Sequence, residues 1–271
     1  MPFTSASGVI TLTTDFGLRD PFVGVLKARL LSVFPAARIV DLTHAMLAHW
    51  PAEAAFWLLH SYRYFPPGTV HVAVVDPGVG TDRSIVIVES DGHVLLAPDN
   101  GLLAPIVTRD TAAQCWRLDM ARLASFGISK PSATFHGRDI VAPLAAQLAA
   151  GRITPSQLGP RLLELVPAWL EDPRHSAEGV HGQVVTIDHF GNLLTNIEAE
   201  LLVPMRAPHV YLGQQILPLR RTYGDVQPGQ YLALINSFGV LEVARAEGSA
   251  SESLGISRAA PVVVRDSIPH V

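Results

Sequence analysis

Two periodicities alternate along the first half of the chain. Residues 9–13 and 70–75 are short runs rich in β-branched side chains, as in buried strands, whereas residues 22–34 bring Phe22, Val25, Leu26, Leu30 and Val33 onto one helical face. Residues 38–42 repeat the strand and residues 51–62 the helix, with Pro51 suited to a first turn and Glu53 favourable beside a helix N-terminus. Strands alternating with helices imply right-handed crossovers and an α/β domain with a mainly parallel sheet. Each strand runs into a polar turn: Thr14-Asp15-Phe16-Gly17, Asp41-Leu42-Thr43-His44 and Asp76-Pro77-Gly78. Ligands of open α/β sheets bind at the carboxyl ends of the strands, an edge that would gather Asp15, His44 and Asp76.

The third turn is the richest, since Gly78-Val79-Gly80 and then Arg83 follow Asp76 closely. Taken alone, a strand-ending turn with a surface ion pair accounts for it. Residues 84–89 and 94–97 flank Asp91-Gly92 as a strand pair, and Pro98-Asp99-Asn100-Gly101 closes the second of them with another acidic turn. Thr134-Phe135-His136-Gly137-Arg138-Asp139 then precedes an Ala/Leu-rich helix at 140–150. A lone histidine is usually structural, but His136 beside a helix N-terminus is placed where a ligand or anion can be oriented.

Between 151 and 177 the chain carries Pro155, Pro160, Pro167 and Pro173 and no clear strand. This reads as a linker at 153–177 joining an N-terminal α/β domain (1–152) to a second domain (178–271). The second domain is expected to be small and all-β, from short runs at 180–187, 211–219, 231–236 and 240–246 separated by Gly, Pro and Asn signals. Its richest loops are Asp188-His189-Phe190-Gly191-Asn192-Leu193-Leu194-Thr195-Asn196 and Asn236-Ser237-Phe238-Gly239. Each alone suits an Asx-stabilised hairpin turn; together they suggest a pocket for a polar, ring-bearing ligand.

The overall composition narrows the classes. With 271 residues, 48% of them hydrophobic, the chain can bury a sizeable core, and a net charge of −4 gives no footprint for nucleic acid or an anionic membrane. Cys115 is the single cysteine, which excludes an internal disulfide and a multi-cysteine metal site and points to a reducing compartment and a buried thiol. The N-terminus lacks a secretory pattern and no segment approaches the ~18 apolar residues of a membrane span, so a cytoplasmic location is expected. There is no Gly-x-Gly-x-x-Gly after the first strand, no Walker loop, no His-Glu-x-x-His and no Gly-x-Ser-x-Gly elbow. Asp15, Asp20, His44, Asp76 and His136 could between them hold a metal, but they show no recognised ligand spacing.

Six ordered motifs carry a resemblance that spans nearly the whole chain. They are Thr14-Asp15-Phe16-Gly17; Val75-Asp76-Pro77-Gly78-Val79-Gly80-Thr81 with Arg83; Ala97-Pro98-Asp99-Asn100-Gly101; Phe135-His136-Gly137-Arg138-Asp139; Phe190-Gly191-Asn192 with Thr195-Asn196; and Asn236-Ser237-Phe238-Gly239. In these the chain resembles the S-adenosyl-L-methionine hydrolases (adenosine-forming), or hydroxide adenosyltransferases, relatives of the fluorinase and chlorinase. The resemblance implies an α/β domain followed by a β-barrel-like domain. It also implies a homotrimer with the ligand between one subunit's N-terminal domain and its neighbour's C-terminal domain, and no metal or other cofactor. Residue by residue, it makes Asp76, Arg83 and His136 the triad that handles the attacking water, and Asp15 the carboxylate for the ribose hydroxyls. Asp188 would receive the methionine ammonium, Ser237 would lie near its carboxylate and Asn192 would contact adenine, with Glu242 and Ala250 as further substrate contacts.

The chemistry suits these residue types. A sulfonium makes C5′ electrophilic and leaves as a neutral thioether, so SN2 attack by a positioned water would give adenosine and L-methionine without a cofactor. Two other outcomes use the same pocket. A sensor would bind the nucleoside without useful turnover, and a halogenase would use halide as nucleophile, which a buried anionic Asp76 would repel. A metallohydrolase is a fourth reading, marked by loss of activity on chelation.

Overall fold

The computed structural model describes residues 5–266, and the chain divides into two compact units, Met1–Leu170 and Glu171–Val271. In the first unit the predicted alternation is present as β1 (Val9–Thr14), α1 (Phe22–Val33), β2 (Arg38–Thr43), α2 (Pro51–Ser61) and β3 (Val70–Val74). It continues with β4 (Ile85–Ser90), β5 (His93–Pro98), α3 (Ala104–Arg109), β6 (Gln114–Arg117), α4 (Ala142–Ala149) and β7 (Arg161–Leu162). The strands form one sheet in the order β2-β1-β3-β5-β4-β6-β7. The half containing β2, β1, β3 and β5 is parallel, and the pairings β5–β4, β4–β6 and β6–β7 are antiparallel. The sheet is therefore mixed, because the Asp91-Gly92 turn between β4 and β5 is far too short for a parallel crossover.

Strand alternation distributes the core to the two faces. Ile10, Leu12, Val70, Val72 and Val74 pack with Leu26 and Leu30 of α1 and Leu144 and Leu148 of α4. The opposite parity, including Ala73, Val75, Leu95 and Ala97, packs with Leu58 of α2 and Ile106 of α3. Covering both faces leaves the carboxyl ends of the parallel strands as the place where loops converge. Residues 153–170 pack with this unit: β7 pairs with β6, Val166 N–H donates to Asp99, and Trp169 donates to the Asn100 carbonyl.

The second unit comprises β8 (Arg174–Ser176), β9 (Gly179–Ile187), β10 (Leu193–Glu198), β11 (Pro208–Leu212), β12 (Gln215–Arg220), β13 (Tyr231–Ile235) and β14 (Val240–Arg245). The short helix α5 (Ala250–Leu254) and β15 (Pro261–Asp266) complete it. The strand order is β10-β14-β13-β12-β11-β15-β9-β8, and the further pairing of β9 with β10 closes seven strands into a barrel. Val184, Leu193, Ile197, Val210, Leu241, Val243 and Val264 fill its interior. Two details differ from the sequence pattern. The run 211–219 is a hairpin, split where Gly213 takes φ +57°, and β10 begins at Leu193, inside what reads as a polar loop. No helix among the described residues is long and apolar enough to cross a membrane.

Candidate active site

Asp76 lies two residues beyond the end of β3 and Arg83 two residues before β4. The intervening loop folds back on itself. Val79 N–H donates to the Asp76 carbonyl at 3.3 Å, and the Thr81 hydroxyl donates to the Gly78 carbonyl at 2.7 Å. At its apex Gly80 has φ +81°, and a Cβ there would lie 2.6 Å from the Ala133 carbonyl oxygen, so the backbone packs on residue 133 only as glycine. The Arg83 guanidinium thereby reaches Asp76, with Nε 3.1 Å from Oδ1 and 3.0 Å from Oδ2, and with Nη2 also on Oδ2. The two side chains are 8% and 11% exposed, so the pair is screened far less than a surface ion pair.

His136 joins this pair from a different segment. The chain enters α4 through a π-helical turn at Gly137–Val141, in which Ala142 N–H donates to the Gly137 carbonyl. Such turns re-aim side chains and recur at functional sites. A Cβ on Gly137 would be 3.4 Å from Val74 Cγ1, so this turn sits closely against the end of β3. Asp139 accepts from Ser132 N–H at 2.9 Å and holds Arg138 at 2.6 and 2.7 Å, which closes the loop carrying His136. Arg83 Nη2 lies 2.9 Å from His136 Nδ1. A guanidinium only donates, so Nδ1 must accept, and the neutral ring carries its proton on Nε2. Burial first and the charge of Arg83 second hold the His136 pKa below its ordinary value. The triad thus has one carboxylate, one guanidinium and one neutral imidazole.

Asp15 occupies the expected place after β1, where its Oδ2 accepts from His49 N–H at 3.0 Å. His44 is not part of the triad. Its Nδ1 is 2.8 Å from Thr14 Oγ1, Nε2 is 3.1 Å from Asp41 Oδ1, and its carbonyl accepts from Gly17 N–H at 2.7 Å, so it braces two strand-end turns. Asp20 is exposed. Among the described residues no three or more His, Cys, Asp or Glu side chains are grouped to hold a metal. Cys115, in β6, is buried, and burial pushes its thiol pKa up.

Sequence reasoning passed over several aromatic residues at this edge. Phe16, Phe22 and Phe135 meet edge to face with centroids 5.6 to 6.3 Å apart, and Trp50 meets Trp169 at 5.8 Å. Phe16 and Phe135 lie inside recognised motifs. Trp50 and Trp169 lie outside any, 119 positions apart, and only the fold pairs them.

In the second unit both richest loops are Asx turns. Asp188 accepts from the backbone N–H groups of Phe190 and Asn192 and from the Asn192 carboxamide, each at 2.9 Å. Ser251 N–H donates to the Gly191 carbonyl at 2.9 Å, which brings Ala250 at the start of α5 beside this loop. Asn236 Oδ1 accepts from Phe238 N–H at 3.0 Å, leaving Ser237 exposed at the turn. Glu242 is 3% exposed and accepts from Tyr223 Oη at 2.6 Å and Asn236 Nδ2 at 3.1 Å. Burial, opposed by these two donors, raises its pKa. Tyr223 is the partner that the sequence did not single out, because it lies on a turn outside every motif. Glu242 lies opposite Leu194 in the β10–β14 pairing and is bonded to Asn236, so the two loops are neighbours.

Comparison with known proteins agrees across both units. Residues 10–159 match the SAM hydroxide adenosyltransferase N-terminal domain and residues 182–263 the C-terminal domain of the same family. The chain is 40% identical over 256 residues to the (R)-S-adenosyl-L-methionine hydrolase of Thermus thermophilus, covering 92% of this chain and 96% of that protein. It is 29% identical to a fluorinase from Nocardia brasiliensis, covering 88% and 90%. Among solved structures, an uncharacterised conserved protein from Thermotoga maritima superposes with a TM-score of 0.86 at 33% identity, covering 94% of this chain and 99% of that one. Since both halves match in order, the chain belongs to the SAM hydroxide adenosyltransferase family.

Proposed function

We infer that this protein hydrolyses S-adenosyl-L-methionine to adenosine and L-methionine. The contact of Asp76, Arg83 and His136 carries the reading at the level of chemistry, and the 40% identity to a hydrolase carries it at the level of substrate. In the proposed mechanism a water held by the triad attacks C5′ in line with the departing thioether. Arg83 occupies Nδ1 of His136, so that ring offers water an N–H donor at Nε2. Asp76 offers the acceptor: among the described residues Oδ1 receives only Arg83 Nε, at 3.1 Å, and retains a lone pair for the water proton. Arg83 also neutralises Asp76, which weakens simple repulsion as a reason for halide exclusion. The preference for water rests instead on the acceptor, since a halide has no proton to give it.

The remaining assignments belong to the same proposal. Asp15 binds the ribose hydroxyls, Asp188 the ammonium group and Asn192 the adenine. Ser237 lies at the methionine carboxylate, with Ala250 as a further contact, and Glu242 acts through Asn236 on the loop that carries Ser237. The proposal keeps a homotrimer with sites at subunit interfaces, a cytoplasmic location supported by the lone Cys115, and no cofactor, nucleic acid or membrane partner.

Chromatography of the purified protein incubated with S-adenosyl-L-methionine, in chelator and halide-free buffer, tests the reading. Both sulfonium epimers should be supplied, since the Thermus relative is named for the (R) form. Equal amounts of adenosine and methionine are expected, with His136→Ala losing the activity. Intact substrate with retained binding would make the protein a sensor, and a halogenated nucleoside formed only on adding halide would make it a halogenase.

A further inference from the structure

The Asp99-Asn100-Gly101 turn is a sequence motif to which the mechanism above gives no task. It follows β5, the neighbour of β3, and it touches both ends of the loop that carries Asp76 and Arg83. The Asn100 carboxamide donates from Nδ2 to the Val75 carbonyl at 2.8 Å, immediately before Asp76. The Asp99 backbone N–H donates to the Ser84 carbonyl at 2.9 Å, immediately after Arg83. The turn is in its own right tied down by the strap 163–170. Val166 N–H donates to Asp99 Oδ1 at 2.9 Å and Trp169 Nε1–H donates to the Asn100 carbonyl at 2.6 Å. Gly101, at φ +89°, lets the strap cross, because a Cβ there would lie 2.4 Å from the Pro167 carbonyl oxygen.

We propose that Asn100 is a positioning residue for the Asp76–Arg83 pair, holding the peptide plane from which Asp76 leaves β3. The hydrogen bond from Nδ2 fixes the Val75 carbonyl, so the direction of the Asp76 side chain is set before any ligand arrives. Asn100 Oδ1 is sealed from solvent with no hydrogen-bond partner among the described residues, and turning the amide over would set that oxygen against the Val75 carbonyl. One amide orientation is therefore retained. A residue that merely filled space beneath the loop would not depend on which atom faces Val75.

Asn100→Asp separates the two roles, since it keeps the volume and replaces the donor with an oxygen. This test rests on the hydrolase reading, and a second readout keeps the two apart. In the full-length protein, Asn100→Asp should lower kcat for S-adenosyl-L-methionine about 10- to 100-fold while KM moves by less than about threefold. Protonation of the introduced carboxyl restores an O–H donor, so the ratio of variant to wild-type kcat should rise as pH falls. Trp169→Phe, which removes only the indole donor to the turn, should lower kcat by a smaller factor. A kcat within about twofold of wild type for Asn100→Asp, or a ratio independent of pH, overturns the proposal. Imidazole 15N spectra of His136 in the ligand-free protein report the triad without turnover: Asn100→Asp should shift them from the wild-type Nε2–H tautomer. Unchanged spectra overturn the proposal even if the wild type releases no adenosine, and shifted spectra with no wild-type adenosine reject the hydrolase reading alone.

Discussion

Arg83 stands between a carboxylate and an imidazole, and because a guanidinium can only donate, the His136 nitrogen facing it at 2.9 Å must keep its lone pair. Protonating that nitrogen would set two donors against each other, consistent with a His136 pKa held below the ordinary 6.5. With the neutral ring required for orienting water, kcat/KM should stay level as pH falls through 6.5 and decline only below it. An inflection above that value in a pH–rate profile would reject the assignment. Arg83→Lys keeps the charge but loses the planar fork that bonds Asp76 and His136 at once, so steady-state kinetics should show kcat falling about 100-fold. The identities of the three residues were legible in short turn motifs. Their tautomer and bonding pattern were not, since 53 positions separate Arg83 from His136 and no local signal states their distance.

Two elements give the site its shape: the 76–83 loop and the π-helical turn that opens α4. The loop was visible in its Pro and Gly residues, and the reason for Gly80 is now explicit in its φ of +81° and the 2.6 Å approach to Ala133. Gly80→Ala should cost about 1–3 kcal/mol and reduce activity by displacing Arg83. Gly127→Ala is the control. Gly127 has φ +74° with nothing within 4 Å, so it should cost only about 1–2 kcal/mol and leave activity intact. Urea denaturation with parallel assays checks both, and equal activity in the two variants would dismiss the loop's role. The π-helical turn was hidden because Gly137-Arg138-Asp139 read as the approach to the helix and Ile140-Val141 as its ordinary first turn. The hairpin within 211–219 was hidden because its turn, Gly213-Gln214, is only two residues long and lies inside a run that reads as one strand.

At the scale of the molecule, the first sheet carries the candidate site at one end and a buried histidine pair at the other. His71 in β3 is fully buried, 2.7 Å from Thr11 Oγ1 and 3.2 Å from His93 Nδ1, with Tyr62 and Phe65 against it. Burial, then the neighbouring His93, pushes its pKa down to about 3. The folded value lies below the unfolded 6.5, so this contribution to stability is full above 6.5 and is lost as pH falls toward 3. By pH 5 the loss from His71 amounts to about 2 kcal/mol. His71→Asn should be less stable at pH 7.5 yet show a smaller drop in urea midpoint on going to pH 5; an undiminished drop would place the acid sensitivity elsewhere. The alternation of strand and helix, the all-β character of the second unit and the acidic turns at the strand ends were all legible in the amino-acid pattern. Those are local matters of period, turn chemistry and residue type. Packing of distant segments set the rest: that β6 and β7 extend the first sheet antiparallel, that β9 and β10 close the barrel, and that Arg83 meets His136 while His44 does not join them. Each of these depends on which distant segments share an edge, and chain packing, not local preference, sets that.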